Sequence, residues 1–149
     1  MLYSRAVFQT SEPIESAFSH IKETCDKLNG PVKIADEQMH RILGKSRMLS
    51  RSAFSINYYI FFSKSDVNTT TVEIYDTLQI AFRPDKRFLE PLVLAIGERI
   101  PFVTGYIIDK VESEIAADGW IVRRPTELTI WSKLNDELLK KKDYDIKLI

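Results

Sequence analysis

The chain has 149 residues, 44% hydrophobic and 28% charged, with 21 Lys plus Arg balanced by 21 Asp plus Glu. That length and apolar content fit one domain that buries a full core without staples, and the zero net charge argues against nucleic-acid binding, where a basic excess is the rule. Cys25 is the single cysteine, so no intrachain disulfide forms, which fits a reducing, cytoplasmic setting.

The first residues, MLYSRAVFQTSEPIESAF, lack the apolar run after a basic start that a signal peptide needs. Residues 2–9 are β-prone and partly alternating, and predict a first strand. In the next stretch Ile14, Ala17, Phe18, Ile21, Cys25 and Leu28 fall on one stripe of a helix over 12–29. Ser11 is its candidate cap, Pro13 suits its first turn, and Asn29-Gly30-Pro31 stops it.

Three β-type runs follow. VKIAD and MHRILGKSRM flank a turn at Asp36-Glu37-Gln38. SAFSINYYIFFS places Phe54, Ile56, Tyr58, Ile60 and Phe62 on one face. TTVEIYDTLQIAF does the same with Val72, Ile74, Leu78, Ile80 and Phe82, and residues 65–68 read as a hairpin loop. Such alternation predicts strands with one buried side.

Residues 85–118 read as two helices, or as one kinked helix with a break near Arg99 to Phe102. Asp85 is a candidate cap, although Glu90-Pro91 is an alternative start. Ile108, Val111 and Ile115 mark the second helical face. The apolar run PLVLAIGERIPFVTGYII carries Glu98 and Arg99 at its middle, so it reads as core and no membrane insertion is expected. Beyond Gly119, WIVRR suits a strand, and Leu128, Trp131, Leu134 and Leu138 have near-helical spacing.

The predicted class is α+β. An antiparallel sheet of about four to six strands in a meander packs against an N-terminal helix and one or two helices after the sheet. Residues 1–119 form the domain, and 120–149 form a C-terminal extension packed on it or on a partner subunit. The order of elements is similar to helix-grip and TATA-binding-protein-like layouts, where an antiparallel sheet curves around a long helix. That likeness is one of layout alone and carries no function.

Chemistry is sparse. His20 and His40 are twenty residues apart with no cysteine nearby, which is not a zinc spacing, and no metal or cofactor is expected. Cys25 lies on the buried stripe and reads as a small hydrophobe. There is no GxSxG, HExxH, CxxC or Gly-rich phosphate loop. Glu112 with Glu114, and Asp143 with Asp145, read as solvated charge, and Lys140 to Lys142 as cations at a helix end. Arg83, Lys86 and Arg87 flank a helix start where an anion would be welcome. Arg41, Lys45, Arg47 and Arg51 share one strand parity, with Tyr59 and Phe61 on the off-face of the next strand. A solvated sheet face explains them more simply than a single-strand nucleic-acid platform.

Asp76 breaks the pattern, because it falls on the apolar parity between Ile74 and Leu78. Either a bulge turns it outward, or a carboxylate enters the core and needs a partner or a cavity. Asp76, Arg47 and Tyr58 are therefore the candidate ligand-binding residues. Trp120 and Trp131 are the candidate interface anchors. The reading that follows is a non-enzymatic interaction or oligomerisation module, with a homo-oligomer as its partner state. The alternative is a binder of an apolar small molecule between sheet and helices, and an enzyme of unidentified class stands third.

Overall fold

The computed structural model describes residues 1–28, 30–46, 56–66, 68–77, 79–80, 83–84 and 86–125. The strands are β1 (Leu2–Thr10), β2 (Val32–Asp36), β3 (Arg41–Ser46), β4 (Ile56–Asp66), β5 (Thr69–Asp76), β6 (Gln79–Ile80), β7 (Arg83–Pro84) and β8 (Phe102–Glu112). The helices are α1 (Ile14–Lys27) and α2 (Lys86–Gly97). Six strands form one antiparallel sheet in the order β2-β3-β4-β5-β1-β8, while β6 and β7 pair as a separate ribbon. The antiparallel α+β class is therefore as the sequence predicts. Among the described residues, no helix is long and apolar enough to cross a membrane.

The two helices lie on one face of the sheet. Its apolar alternation (Ala6, Phe8, Ile42, Tyr58, Ile60, Phe62, Val72 and Ile74) meets Ala17, Phe18, Ile21 and Cys25 of α1 and Leu89, Leu92, Val93 and Ile96 of α2. The predicted stripe of α1 is thus its buried face, apart from its last member. Leu28 lies beyond the helix with ψ of 178° and is 38% exposed. Ser11 is not the cap. Pro13 takes that position without a side-chain cap bond. Tertiary bonds fix the entry instead: Thr10 Oγ1 accepts the Glu12 N–H, and Thr70 Oγ1 donates to the Glu12 carbonyl.

Three further expectations are corrected. The run from 70 to 82 is not one strand: β5 ends at Asp76, and Gln79–Ile80 pairs instead with Arg83–Pro84. Pro91 does not start α2 but sits inside it, and Glu90 precedes it as an ordinary helical residue. Residues 102–112 are not helical. They form β8, which runs antiparallel to β1 from Leu2↔Glu112 to Thr10↔Phe102. Pro101 separates the two elements, and FVTGYIIDKVE is rich in β-branched and aromatic residues that suit a strand. The Phe102 ring stacks on Phe8 with centroids 4.3 Å apart, sealing the joint between strand and core.

Burial is also not confined to one face. Tyr3, Arg5, Val7, Tyr59, Glu73 and Tyr75 sit on the face away from the helices and are almost wholly buried. A second core of Tyr3, Tyr59, Phe61, Tyr75, Trp120 and Ile121 lies there.

Candidate functional site

The second face owes its burial to the chain after β8. Residues 113–125 turn back as a short arm, with an antiparallel bridge Ile115↔Ile121 and bonds from Ala116 N to Trp120 O and from Val122 N to Glu114 O. Gly119 makes the turn at φ of 88°, a conformation glycine adopts without steric penalty. The arm lays Trp120 on the aromatic face, edge-on to Tyr59 and Phe61 with centroids 6.2 Å away from each. The Arg41 guanidinium covers the outer side of the indole at 4.2 Å and reaches Asp118 at 3.6 Å. Sheet register explains why these groups meet. Arg41, Phe61, Glu73, Val7 and Ile107 form one cross-strand row, and Leu43, Tyr59, Tyr75, Arg5 and Asp109 form the next.

Each row holds a buried charge that is answered locally. Arg5 makes a two-pronged bond to Asp109 at 3.0 and 2.7 Å and gives its third donor to the Arg124 carbonyl at 2.5 Å. Glu73 is fully buried, accepting Arg123 Nε at 2.7 Å on one oxygen and the Tyr75 hydroxyl at 2.7 Å on the other. The Tyr75 oxygen in turn accepts the Arg124 N–H at 2.7 Å. Burial pushes the Glu73 carboxyl above its ordinary range, against the opposing pull of the Tyr75 hydroxyl and Arg123. Burial likewise raises Tyr75. The arm is therefore fastened by apolar contact at Trp120 and Ile121, by the charge of Arg123 on Glu73, and by the backbone N–H and carbonyl of Arg124. Sequence reasoning missed Arg5, Glu73, Arg123 and Arg124. The one available signal was Glu73, an acid opposite aromatic positions on the off-face of a strand.

Asp76 and Tyr58 are brought together on the helix side. They are direct cross-strand partners at the same end of the sheet, in the row Lys110–Ser4–Asp76–Tyr58–Gly44. Asp76 is fully buried, and the strand there is regular, so no bulge turns it outward. Tyr58 is also fully buried, and its hydroxyl donates to the Gly30 carbonyl. Its ring lies over Gly44, where a Cβ would meet ring carbon Cζ at 2.0 Å, so only glycine permits this approach. Cys25 lies beside it, with its thiol pushed up to about 12 by burial. Trp120 is 7% exposed and packed on its own sheet. Arg47 and Trp131 lie outside the described residues.

Among the described residues, no group of three His, Cys, Asp or Glu side chains is placed to hold a metal ion. Comparison with protein-family models, with curated proteins and with solved structures finds no match to this chain.

Proposed function

We propose that the chain is a non-enzymatic protein-interaction module that works as a homo-oligomer, with the outer side of the arm as its contact surface. One observation carries this reading. Met1, Ile115 and Val122 are exposed by 71%, 54% and 38% on three chain segments lying side by side. Met1 and Ser113 exchange backbone bonds of 3.1 and 2.9 Å, the Ser113 hydroxyl donates to the Val122 carbonyl at 2.5 Å, and Ile115 bridges Ile121. Large apolar side chains gathered on a surface mark association sites more often than singly scattered ones do. The underlying arm is rigidly held, so little ordering entropy is lost when a partner docks.

The reading with an apolar small molecule between sheet and helices has less support. That space is filled by Phe18, Ile21, Ile60, Phe62, Leu89 and Leu92, all buried in one continuous cluster. The cytoplasmic assignment stays a proposal resting on the lone buried Cys25.

Native mass spectrometry of the whole chain tests the module. The expected result is a defined oligomer that the Ile115→Glu, Val122→Glu double variant converts to monomer without lowering the melting temperature. A wild-type monomer, or an oligomer indifferent to the double variant, rejects the arm as the contact surface.

A further inference from the structure

A groove of about 420 Å³ lies away from the arm, between the outer flank of α1 and the β2–β3 turn, lined by Glu15, Phe18, Ser19, Lys22, Glu37 and His40. The first four recur at i, i+3, i+4 and i+7, so one side of α1 forms a wall two turns long. The facing wall exists because the turn closes at His40 with φ of 52°, in the left-handed region. The His40 carbonyl accepts the Phe62 N–H at 3.0 Å, which ties the turn to β4. The imidazole then stands edge-on to Phe18, with centroids 6.3 Å apart and planes at 79°. Phe18 is braced from below by Phe62 at 5.2 Å. The floor of the groove is therefore an ordered aromatic pair.

The charges on its walls are exposed and of both signs, and like Lys33, Lys64 and Glu90 they enter no salt bridge among the described residues. Lys27 pairs with Glu23, Arg41 with Asp36, Arg5 with Asp109, and Arg123 with Glu73. Glu15, Lys22 and Glu37 have no such partner among the described residues. A negative group thus stands near the start of α1 and a positive group seven residues on, about 10 Å along the helix axis at 1.5 Å per residue. An extended peptide covers about 10 Å in three residues. The volume falls within the range of small-ligand sites, roughly 300–1,000 Å³.

We propose that this groove binds a short zwitterionic peptide of about three residues, extended along α1. Its terminal ammonium lies at Glu15, its terminal carboxylate at Lys22, and its apolar middle side chain against the His40 ring that stands on Phe18. The Ser19 hydroxyl supplies a hydrogen-bond partner for the peptide backbone, and Glu37 a second acceptor from the facing wall.

The test uses the whole chain, isotopically labelled, titrated with the tripeptide Ala-Phe-Ala in amide proton–nitrogen spectra. The expected result is saturable shifts confined to α1 and the 37–40 turn. Acetylating the amino terminus or amidating the carboxyl terminus should weaken binding about tenfold each, the scale of one lost charge-assisted contact. Glu15→Gln should lose the dependence on the free amino terminus alone, and Lys22→Met the dependence on the free carboxylate alone. Both side chains are exposed, so neither variant should change the melting temperature. No shifts at millimolar peptide, equal binding of doubly blocked peptide, or wild-type discrimination in both variants would each overturn the proposal. The oligomer test of the arm is independent of all three.

Discussion

The guanidinium of Arg123 closes on the carboxylate of Glu73 at 2.6 Å, with Glu73 fully buried and Arg123 34% exposed. The two residues are fifty positions apart and belong to different layers, so this contact fastens the arm to the sheet. Removing one partner of a buried pair leaves the other uncompensated, at a cost of about 3–5 kcal/mol. With Arg123 partly solvated, Arg123→Ala should lower stability by about 2–3 kcal/mol at neutral pH in urea melts. Adding Glu73→Gln to that variant should recover part of the loss. Additive losses in the double variant would show that the pair is not coupled.

The same carboxylate sets a pH dependence. Its folded pKa is raised above the usual 4.5, so the folded state binds the proton more tightly than the unfolded state. Glu73 therefore favours folding most when protonated, and this contribution is lost as pH rises from the unfolded value through the folded one. Removing Arg123 takes away an influence that holds the pKa down, so Arg123→Ala should be less destabilising in acid than at neutral pH. Urea melts of both proteins across that window check the sign. A deficit that grows in acid would place the cost elsewhere.

Gly44 and Tyr58 provide a steric test. A methyl at position 44 would overlap the Tyr58 ring, with Cζ at 2.0 Å and the hydroxyl oxygen at 2.1 Å. Gly44→Ala should cost about 3 kcal/mol, the upper end for overpacking a core. Tyr58→Ala alone should also be costly, through a cavity and the lost bond to Gly30. The pair together should cost clearly less than the sum. Strict additivity would mean that the ring moves aside.

Cys25 should be silent in the native state. It is 1% exposed, and its thiol is pushed up to about 12 by burial, so thiolate is scarce at neutral pH. Labelling with a maleimide should be slow in buffer and complete in denaturant. Rapid native labelling would mean that α1 opens from the sheet far more readily than its packing implies.

Trp120 should be the anchor of the arm. Trp120→Ala removes the ring over Tyr59 and Phe61 and should cost about 3 kcal/mol. Deleting residues 120–149 goes further, since it also removes Arg123 and Arg124 from Glu73, Tyr75 and Arg5. The shortened chain should aggregate or fail to fold, as read by size-exclusion chromatography. A soluble chain with an unchanged melt would show that the second face tolerates exposure.

Local periodicity alone determined much of this protein. The α1 stripe and the strand character of 2–9, 56–66 and 69–76 follow from side-chain spacing, because a helix or strand repeats its facing at a fixed interval, whereas the burial of Asp76 was decided by the regular pairing of β5. What spacing left undecided was settled by contacts between distant segments. Ile108 and Val111, three apart, share one face of a helix but opposite faces of a strand, and only pairing with β1 in a sheet covered on both faces selects the strand. The buried second face was illegible for the same reason. Nothing near Glu73 in the chain announces Arg123, and nothing near Tyr59 announces Trp120. A charge or an aromatic ring on the off-face of a strand reads as solvated until another segment covers it, and that cover is a property of the tertiary structure alone.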